Sequence, residues 1–229
     1  MSKISIIIPT INEANNLPLL LSDLSSIKKE GEIIIVDSGS EDKTMDIANI
    51  YGAKVFISKE RNRGFQLDIG AKKSKGEWLI FLHADTRLTH DWFKKINSFL
   101  KGNKNSIYYF EFKINHKKII YRVLEILVNI RSKFFKQPYG DQGLIIHRTT
   151  YFKNNGFRKI PLMEDIDFFR RLKNKKKDLK QLNLPIFISS RKWERTNIFL
   201  QAIKNWHFRR RWLKGESLKS IYSDYYKDD

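Results

Sequence analysis

The residues of this sequence that most directly suggest chemistry are His83 and Asp85, which follow the apolar run Trp78–Leu82. A short apolar run of this kind is typical of a strand buried on both faces, and open α/β sheets bind ligands at the carboxyl ends of their strands. Mg²⁺ and Mn²⁺ take one or two protein carboxylates beside substrate phosphates. Asp85 is therefore a candidate metal ligand. The alternative is that it caps a helix that begins near Thr89.

Two earlier predicted strands also end in polar residues. The β-branched run 4–8 stops at a proline and is followed by the polar segment 10–13. The run 32–36 ends at Asp37, and a Ser-Gly-Ser turn follows it. After each strand, apolar residues recur at the spacing of a helix.

Strands that alternate with helices predict βαβ units, and hence an α/β fold with a mostly parallel sheet flanked by helices. Right-handed crossovers bring the carboxyl ends of such strands to the same edge of the sheet. We therefore expect residues 10–13, 37–40 and 83–85 to form a single site.

The pattern changes beyond residue 100. Alternating apolar residues at 106–114 predict a half-exposed strand. The apolar segment 119–130 predicts a helix packed on the sheet, with Arg122, Glu125 and Asn129 on one face; a helix lying at a membrane interface is the alternative. The remaining predicted elements are a strand at 144–147, a helix at 163–172, a strand at 184–188 and a helix at 197–213. No flexible linker is evident, so we predict one domain over residues 1–229, with parts 1–100, 101–195 and a basic helical segment 196–229.

The charge of the chain is unevenly distributed. The net charge is +19, but residues 1–100 hold 14 Lys and Arg against 13 Asp and Glu, while residues 101–229 hold 30 against 12. This asymmetry predicts an anionic partner for the second half. The absence of cysteine excludes disulfides and thiolate–zinc sites. With no signal-peptide pattern at the start and no apolar run long enough to cross a bilayer, we expect a cytoplasmic protein.

Several motifs together resemble those of family-2 glycosyltransferases with the GT-A fold. In the first half they are Pro9-Thr10-Ile11-Asn12-Glu13, the segment Val36–Thr44, and His83-Ala84-Asp85, a variant of the family's Asp-x-Asp motif. Further along, the segments 138–143 and 163–165 resemble acceptor-side motifs of a bacterial subgroup labelled arsenosugar-biosynthesis-type glycosyltransferases. The resemblance covers roughly residues 3–195. It implies a Rossmann-like GT-A sheet, to which the helical pattern and charge of residues 196–229 add a helical, basic C-terminal extension.

The resemblance also implies a nucleotide-sugar donor, UDP- or GDP-linked, and a divalent cation, Mg²⁺ or Mn²⁺, on its diphosphate. The residues implied to bind the donor are Pro9, Thr10, Asn12, Glu13, Asp37, Ser38, Arg63 and Ala84. The metal would be held by Asp85, with His83 as a second ligand, a hydrogen-bond donor to phosphate, or a purely structural residue. Three alternatives remain open: Asp37 as a turn former before Ser-Gly, Glu13 as a helix-start residue, and Arg63 as part of a solvated basic loop.

The implied reaction is displacement at the anomeric carbon with inversion, in which a carboxylate takes the proton of the acceptor hydroxyl. In the family that base is the Asp of a Glu-Asp pair, which here is Asp165, with Glu164 as the second candidate. The alternative is that both acidic residues only favour the start of a helix. Asp141 and Gln142 are candidates for the acceptor side, with turn formation as the alternative for Asp141.

The last third of the chain combines cations with aromatic residues, in Arg191-Lys192-Trp193 and in 206–212. This composition predicts binding to anionic lipids at the inner face of a membrane. Binding to nucleic acid is the lower-ranked alternative. The acceptor is unidentified, with a lipid-linked acceptor among the candidates. The competing functions are a non-catalytic basic adaptor and a sugar-phosphate nucleotidyltransferase. The latter should carry a glycine-rich loop after the first strand, which residues 9–13 do not form.

Overall fold

The computed structural model describes residues 4–27, 29–190 and 198–225. Its strands are β1 Ile4–Thr10, β2 Gly31–Asp37, β3 Lys54–Ile57, β4 Trp78–Phe81, β5 Thr86–Leu88, β6 Ile107–Ile114, β7 Leu144–His147 and β8 Leu179–Ile188. Its helices are α1 Leu17–Asp23, α2 Thr44–Ile50, α3 Arg63–Lys73, α4 Trp92–Leu100, α5 Ile119–Phe135, α6 Arg148–Lys153, α7 Glu164–Asn174, α8 Ile198–Leu213 and α9 Leu218–Tyr225.

The described strands form one sheet in the order β3-β2-β1-β4-β7-β6-β8-β5. The first four strands of this order are parallel, with Thr10 opposite Asp37 and Ile7 opposite Phe81. Strand β7 is antiparallel to β4 and to β6, whereas β6 and β8 are parallel. The mostly parallel α/β sheet flanked by helices is therefore confirmed, and the carboxyl ends of β1, β2 and β4 meet at one edge.

The core lies on both faces of the sheet, as the alternation of β1 requires. Ile6 and Ile8 belong to a buried cluster on one face, and Ile7 belongs to a second cluster on the other face. Helices α1 and α4 cover the first face, whereas α3 and α7 cover the second face. The residues at the carboxyl edge of the sheet are thus held by strands that are packed on both sides.

Some elements differ from the sequence prediction. Segment 106–114 was predicted to be half-exposed, but β6 lies between β7 and β8 and is mostly buried. Strand β5 was not predicted; its three residues are too short for a periodicity signal, and its position depends on pairing with the distant β8. The predicted helix near Thr89 begins at Trp92, and β8 begins five residues before the predicted start at 184. Long-range pairing sets the bounds of β5 and β8.

Candidate functional site

A cleft of about 270 Å³ opens beyond the carboxyl end of β4. Five side chains singled out in the sequence line it: Arg63, His83, Asp85, Asp141 and Asp165. These residues are up to 102 positions apart in the chain, and the sheet edge and the start of α7 bring them together. The cleft is also lined by residues that the sequence analysis did not propose as individual site residues, which are Tyr139, Leu162, Met163, Ile166, Ile188, Ser189, Asn205, Phe208 and Tyr225.

Asp165 lies in the first turn of α7, where helical N–H groups favour negative charge. Its side chain is largely buried, its Oδ2 accepts a hydrogen bond from the Gly140 N–H at 2.6 Å, and its Oδ1 accepts one from the Ile166 N–H at 2.7 Å. Both bonds fix the orientation of the carboxylate. The position just before the helix, Met163, has a left-handed backbone with φ of 63°, which is costly for a side chain of this kind.

Gly140 allows the close approach of the two sides of the cleft. A Cβ atom at this position would lie 3.1 Å from Asp165 Oδ2 and 3.2 Å from His83 Nε2. The strand-end histidine and the α7 aspartate therefore lie next to the same glycine. A side chain at this position would require Asp165 Oδ2 and His83 Nε2 to move by a few tenths of an ångström.

Glu164 and Arg63 form an ion pair at the edge of the cleft. The Glu164 carboxylate is buried and accepts a hydrogen bond from Arg63 Nε, while the Arg63 side chain is partly exposed in the cleft. Burial raises the pKa of the Glu164 carboxyl, although the Arg63 guanidinium acts to lower it. Glu164 is thus occupied in positioning Arg63. Between the two candidate bases, this geometry favours Asp165.

Asp37 is fully buried at the end of β2 and does not line the cleft. Its carboxylate accepts hydrogen bonds from Thr10 Oγ1 at 2.7 Å, Ser40 Oγ at 2.5 Å, and the backbone N–H groups of Gly39 and Ser40 at 2.9 and 2.8 Å. Gly39 has a φ of 91°, which glycine adopts without strain. This arrangement favours the turn-forming interpretation of Asp37, and its contact with a donor stays a prediction.

The other residues expected at the donor side tie the β1 and β2 loops together. The Asn12 N–H donates to Ser40 Oγ at 2.8 Å, and its Oδ1 accepts from the Glu41 N–H at 2.9 Å. The Glu13 N–H donates to Thr44 Oγ1 at 2.8 Å. Pro9, Ser38 and Ala84 also lie at these strand ends outside the cleft lining. Their contacts with a donor stay predictions.

A buried glutamine supports the same edge and was not identified in the sequence. Gln66 of α3 donates from Nε2 to the carbonyl oxygens of Thr10 at 3.0 Å and Val36 at 2.7 Å. It thereby joins the ends of β1 and β2 to the helix that begins with Arg63. Its signal in the sequence is an uncharged polar residue next to the apolar Phe65 and Leu67.

The two acceptor-side candidates have different surroundings. Asp141 lines the cleft, whereas Gln142 is fully buried and does not line it. Gln142 Oε1 accepts from Ser132 Oγ at 2.5 Å and from the Tyr139 N–H at 3.3 Å. Gln142 therefore holds the loop in place.

The residues present fit a divalent cation that shares its ligands with a diphosphate. Within 4–27, 29–190 and 198–225, no three His, Asp or Glu side chains are grouped closely enough to hold a metal alone. His83 and Asp85 nevertheless line one cleft with Arg63. A single carboxylate is enough for Mg²⁺ or Mn²⁺ when substrate phosphates supply further oxygens.

The C-terminal helices form one wall of the cleft. Asn205 and Phe208 of α8 and Tyr225 of α9 line it, and the rings of Phe208 and Tyr225 are 5.5 Å apart in an edge-to-face contact. Arg209 donates from Nη1 to Tyr139 Oη at 3.0 Å. Part of the segment 206–212, predicted as a membrane surface, therefore belongs to the cleft. The motif Arg191-Lys192-Trp193 lies outside the described residues.

Known proteins are similar to this chain in sequence. The family model described as Glycosyl transferase family 2 matches residues 5–214. A PGL/p-HBAD biosynthesis glycosyltransferase of Mycobacterium bovis is 38% identical over 91 residues, which cover 37% of this chain and 36% of that protein. A 4,4'-diaponeurosporenoate glycosyltransferase of Staphylococcus haemolyticus is 37% identical over 95 residues, covering 38% and 25%. The matched region thus spans about a third or less of these relatives' length.

Solved structures share the fold at low sequence identity. The chain resembles S. aureus TarS 1-349 in complex with UDP-GlcNAc, with a TM-score of 0.66, 20% identity, and coverage of 82% of this chain and 58% of that one. It also resembles glucosyl-3-phosphoglycerate synthase from Mycobacterium tuberculosis with Mn²⁺, UDP and glucosyl-3-phosphoglycerate. For this structure the TM-score is 0.63, the identity 17% and the coverage 80% and 70%.

Proposed function

Because the chain belongs to glycosyl transferase family 2, we propose that it transfers a sugar from a UDP- or GDP-sugar to an acceptor hydroxyl or phosphate with inversion. The observation that supports this proposal is the convergence of Arg63, His83, Asp85 and Asp165 in one cleft at the strand ends. UDP is favoured as the nucleotide, since structural neighbours were crystallised with it.

In the proposed reaction, an acceptor oxygen forms a bond to the anomeric carbon while the bond from that carbon to the diphosphate oxygen breaks. The leaving nucleotide diphosphate takes the electron pair, and the Asp165 carboxylate takes the acceptor proton. Each oxygen of Asp165 accepts one backbone hydrogen bond and retains a lone pair for the acceptor hydroxyl.

The charge on the leaving diphosphate is the main electrostatic demand of this reaction. Arg63 carries a positive charge into the cleft and is held there by Glu164. Asp85 and His83 would hold the divalent cation, which supplies Lewis-acid stabilisation of the leaving group when bound. Asp37, Asn12 and Gln66 hold the strand-end loops on which the donor would lie.

Thermal-shift titration tests the donor part of the proposal. UDP or GDP together with Mn²⁺ should raise the melting temperature by mass action. Asp85→Asn should abolish the Mn²⁺-dependent part of this shift, whereas Asp91→Asn, an exposed carboxylate on another loop, should leave it unchanged. If no nucleotide diphosphate gives a Mn²⁺-dependent shift with the unmodified chain, the proposal is wrong and the basic adaptor becomes the better account.

A further inference from the structure

Helix α5 packs on the sheet with its polar side chains. Glu125 is 2% exposed, and its Oε1 accepts a hydrogen bond from the Ile114 N–H at 2.6 Å. Asn129 pairs with both backbone groups of Phe112, since its Oδ1 accepts from the N–H and its Nδ2 donates to the carbonyl oxygen, each at 2.9 Å. The polar stripe of α5 therefore faces inward.

This inward orientation follows from the backbone of β6. Strand β6 pairs with β7 only at Tyr108 opposite Ile145, so its later N–H and C=O groups on that side need other partners. Side chains of α5 provide them, and Arg122 adds a bond from Nη2 to the Ile114 carbonyl oxygen at 2.8 Å. Along this stretch no strand pairs with this side of β6. Polar side chains at helical spacing on α5 bind its backbone groups instead.

The opposite face of α5 is apolar and exposed. Six large apolar side chains fall within about 100° of arc on the helix, and each is at least 45% exposed: Ile119, Val123, Ile126, Leu127, Ile130 and Phe134. Phe135 adds a seventh exposed apolar side chain at the helix end. A contiguous apolar surface of this kind marks an interaction site.

Lysines flank this face at both ends. Lys117 and Lys118 precede the helix, Lys133 and Lys136 lie in and after its last turn, and all four are exposed. The one acidic residue of α5, Glu125, is buried against β6. An exposed apolar face between basic ends is complementary to a bilayer surface that contains anionic lipid.

We infer that α5 lies in the plane of an anionic bilayer surface, with this apolar face among the headgroups and acyl chains. At 17 residues the helix is about 26 Å long. No helix among the described residues has the length and hydropathy needed to cross a membrane. The apolar face of α5 is therefore a peripheral contact, distinct from the C-terminal segment that the composition indicated.

The apolar face of α5 is connected to the cleft through the acceptor-side loop, residues 138–143. Arg131 of α5 stacks on Tyr139, with its guanidinium carbon 3.5 Å from the ring centroid, and Ser132 donates to Gln142. Tyr139 lines the cleft four residues after the helix ends. Resting on the proposed function, this continuity identifies the acceptor as a molecule that resides at the bilayer surface.

Vesicle flotation of the full chain tests the inference. The chain should bind vesicles of phosphatidylcholine mixed with phosphatidylglycerol, and bind phosphatidylcholine alone more weakly. Replacing three exposed apolar residues in Ile126→Gln/Leu127→Gln/Ile130→Gln should lower the partition coefficient roughly tenfold or more. The matched control Leu19→Gln/Ile50→Gln/Ile57→Gln removes three exposed apolar side chains elsewhere and should bind like the unmodified chain.

Three outcomes overturn the inference: the unmodified chain does not bind either vesicle, the α5 variant binds as well as the control, or light scattering shows a dimer that only the α5 variant loses. The last result would identify a second copy as the occupant of this face. The Mn²⁺-dependent UDP shift is measured on the same samples. Its retention in a chain that does not bind vesicles would refute the membrane contact and leave the proposed function standing.

Discussion

Asp165 and Glu164 are adjacent in the sequence, but their carboxylates have different partners. Glu164 is paired with Arg63, whereas Asp165 accepts backbone hydrogen bonds from Gly140 and Ile166 and lines the cleft. Glu164 is buried against Arg63 and does not line the cleft, so it is not positioned to take a proton from a molecule bound there. Substitutions at the two positions should therefore affect different steps.

Asp165→Asn should lower the rate of sugar transfer by about 10²–10⁴-fold, the usual contribution of a general base. The affinity for UDP with Mn²⁺ should be unchanged, because the amide retains the hydrogen bond from Gly140. Transfer of labelled sugar from UDP-sugar to a membrane lipid extract measures the first quantity, and calorimetry measures the second. An equal loss of both would assign Asp165 to donor binding instead.

Glu164→Gln should instead lower the affinity for UDP. Without the Glu164 charge, Arg63 loses its ion-pair partner, and the affinity for UDP should fall by about tenfold, the equivalent of roughly 1.4 kcal/mol. Calorimetry with UDP and Mn²⁺ measures this change. Lys159→Gln is a suitable control, because it removes an exposed ion pair with Glu60 on the neighbouring loop. An unchanged UDP affinity would show that Arg63 does not contact the diphosphate.

At the level of single residues, the sequence identified side chains that follow strands or begin helices. His83, Asp85 and Asp165 were found in this way because their positions depend on local pattern. The burial of Asp37 and Gln142 was not predicted, since it depends on loops that close over each carboxylate or amide. Phe208, which the sequence assigned to a membrane-binding segment, and Tyr225 were not assigned to the cleft, because they reach it from helices far along the chain.

At the level of elements, α5 shows what hydrophobic periodicity can establish. The apolar spacing predicted a helix from Ile119, and the structure extends it to Phe135. The pattern also identified the stripe of Arg122, Glu125 and Asn129. It could not show that this stripe faces the sheet, because the unpaired backbone of β6 decides the orientation.

Asn129→Leu should therefore destabilise the fold although it adds an apolar residue. Both backbone groups of Phe112 would lose their partner, and a buried unsatisfied group costs about 1–3 kcal/mol. Urea unfolding should show this loss in the free energy of unfolding. Lys133→Gln, at an exposed position of the same helix, should change it by less than about 0.5 kcal/mol. Equal stability of both variants would contradict the inward orientation.

The contact between β6 and α5 also predicts a pH dependence. Tyr109 donates to the Ser132 carbonyl oxygen at 2.9 Å, and burial raises the pKa of its phenol to about 12. An unfolded tyrosine has a pKa near 10, so the folded state retains this proton over a higher pH range. The stability that Tyr109 contributes is present below pH 10 and is lost as the pH rises to about 12.

Tyr109→Phe removes that titration. Its free energy of unfolding, measured in urea between pH 9 and pH 12, should fall less steeply than that of the unmodified chain. At pH 7 the variant should be less stable by about 0.5–1.5 kcal/mol, the value of one hydrogen bond. Parallel curves over the whole pH range would show that the phenol ionises equally easily in both states.

At the level of the whole molecule, both halves of the chain contribute to one sheet. Strands β7, β6 and β8 of the second half continue the sheet beyond β4, and β5 of the first half pairs with β8 at the far edge. The parallel part was predictable because βαβ units are local. The antiparallel part was not, because the pairing of β4 with β7 joins residues 63 to 69 positions apart in the chain, with no βαβ unit between them. That the chain is a single domain over residues 1–229 stays a prediction.

Helix α8, which forms one wall of the cleft together with α9, is joined to the acceptor-side residues 137–142 by side-chain hydrogen bonds. Arg209 donates to Tyr139 Oη and Gln137 Oε1, and thereby joins α8 to the acceptor-side loop. Arg210, its neighbour, lies 5.2 Å from the ring of Trp206 on its own helix. The two arginines thus form a matched pair, of which only the first joins separate elements.

Arg209→Ala should loosen the wall of the cleft without unfolding the sheet. Amide hydrogen exchange should become faster in residues 137–142 and 198–225 and stay unchanged in residues 4–37, because local opening and global unfolding are separate events. Arg210→Ala should leave the exchange of both segments as it is. If the two variants gave the same exchange pattern, the C-terminal helices would be held by other contacts, such as burial of Phe208 and the stacking of Arg170 on Trp212, and the acceptor side of the cleft would not depend on Arg209.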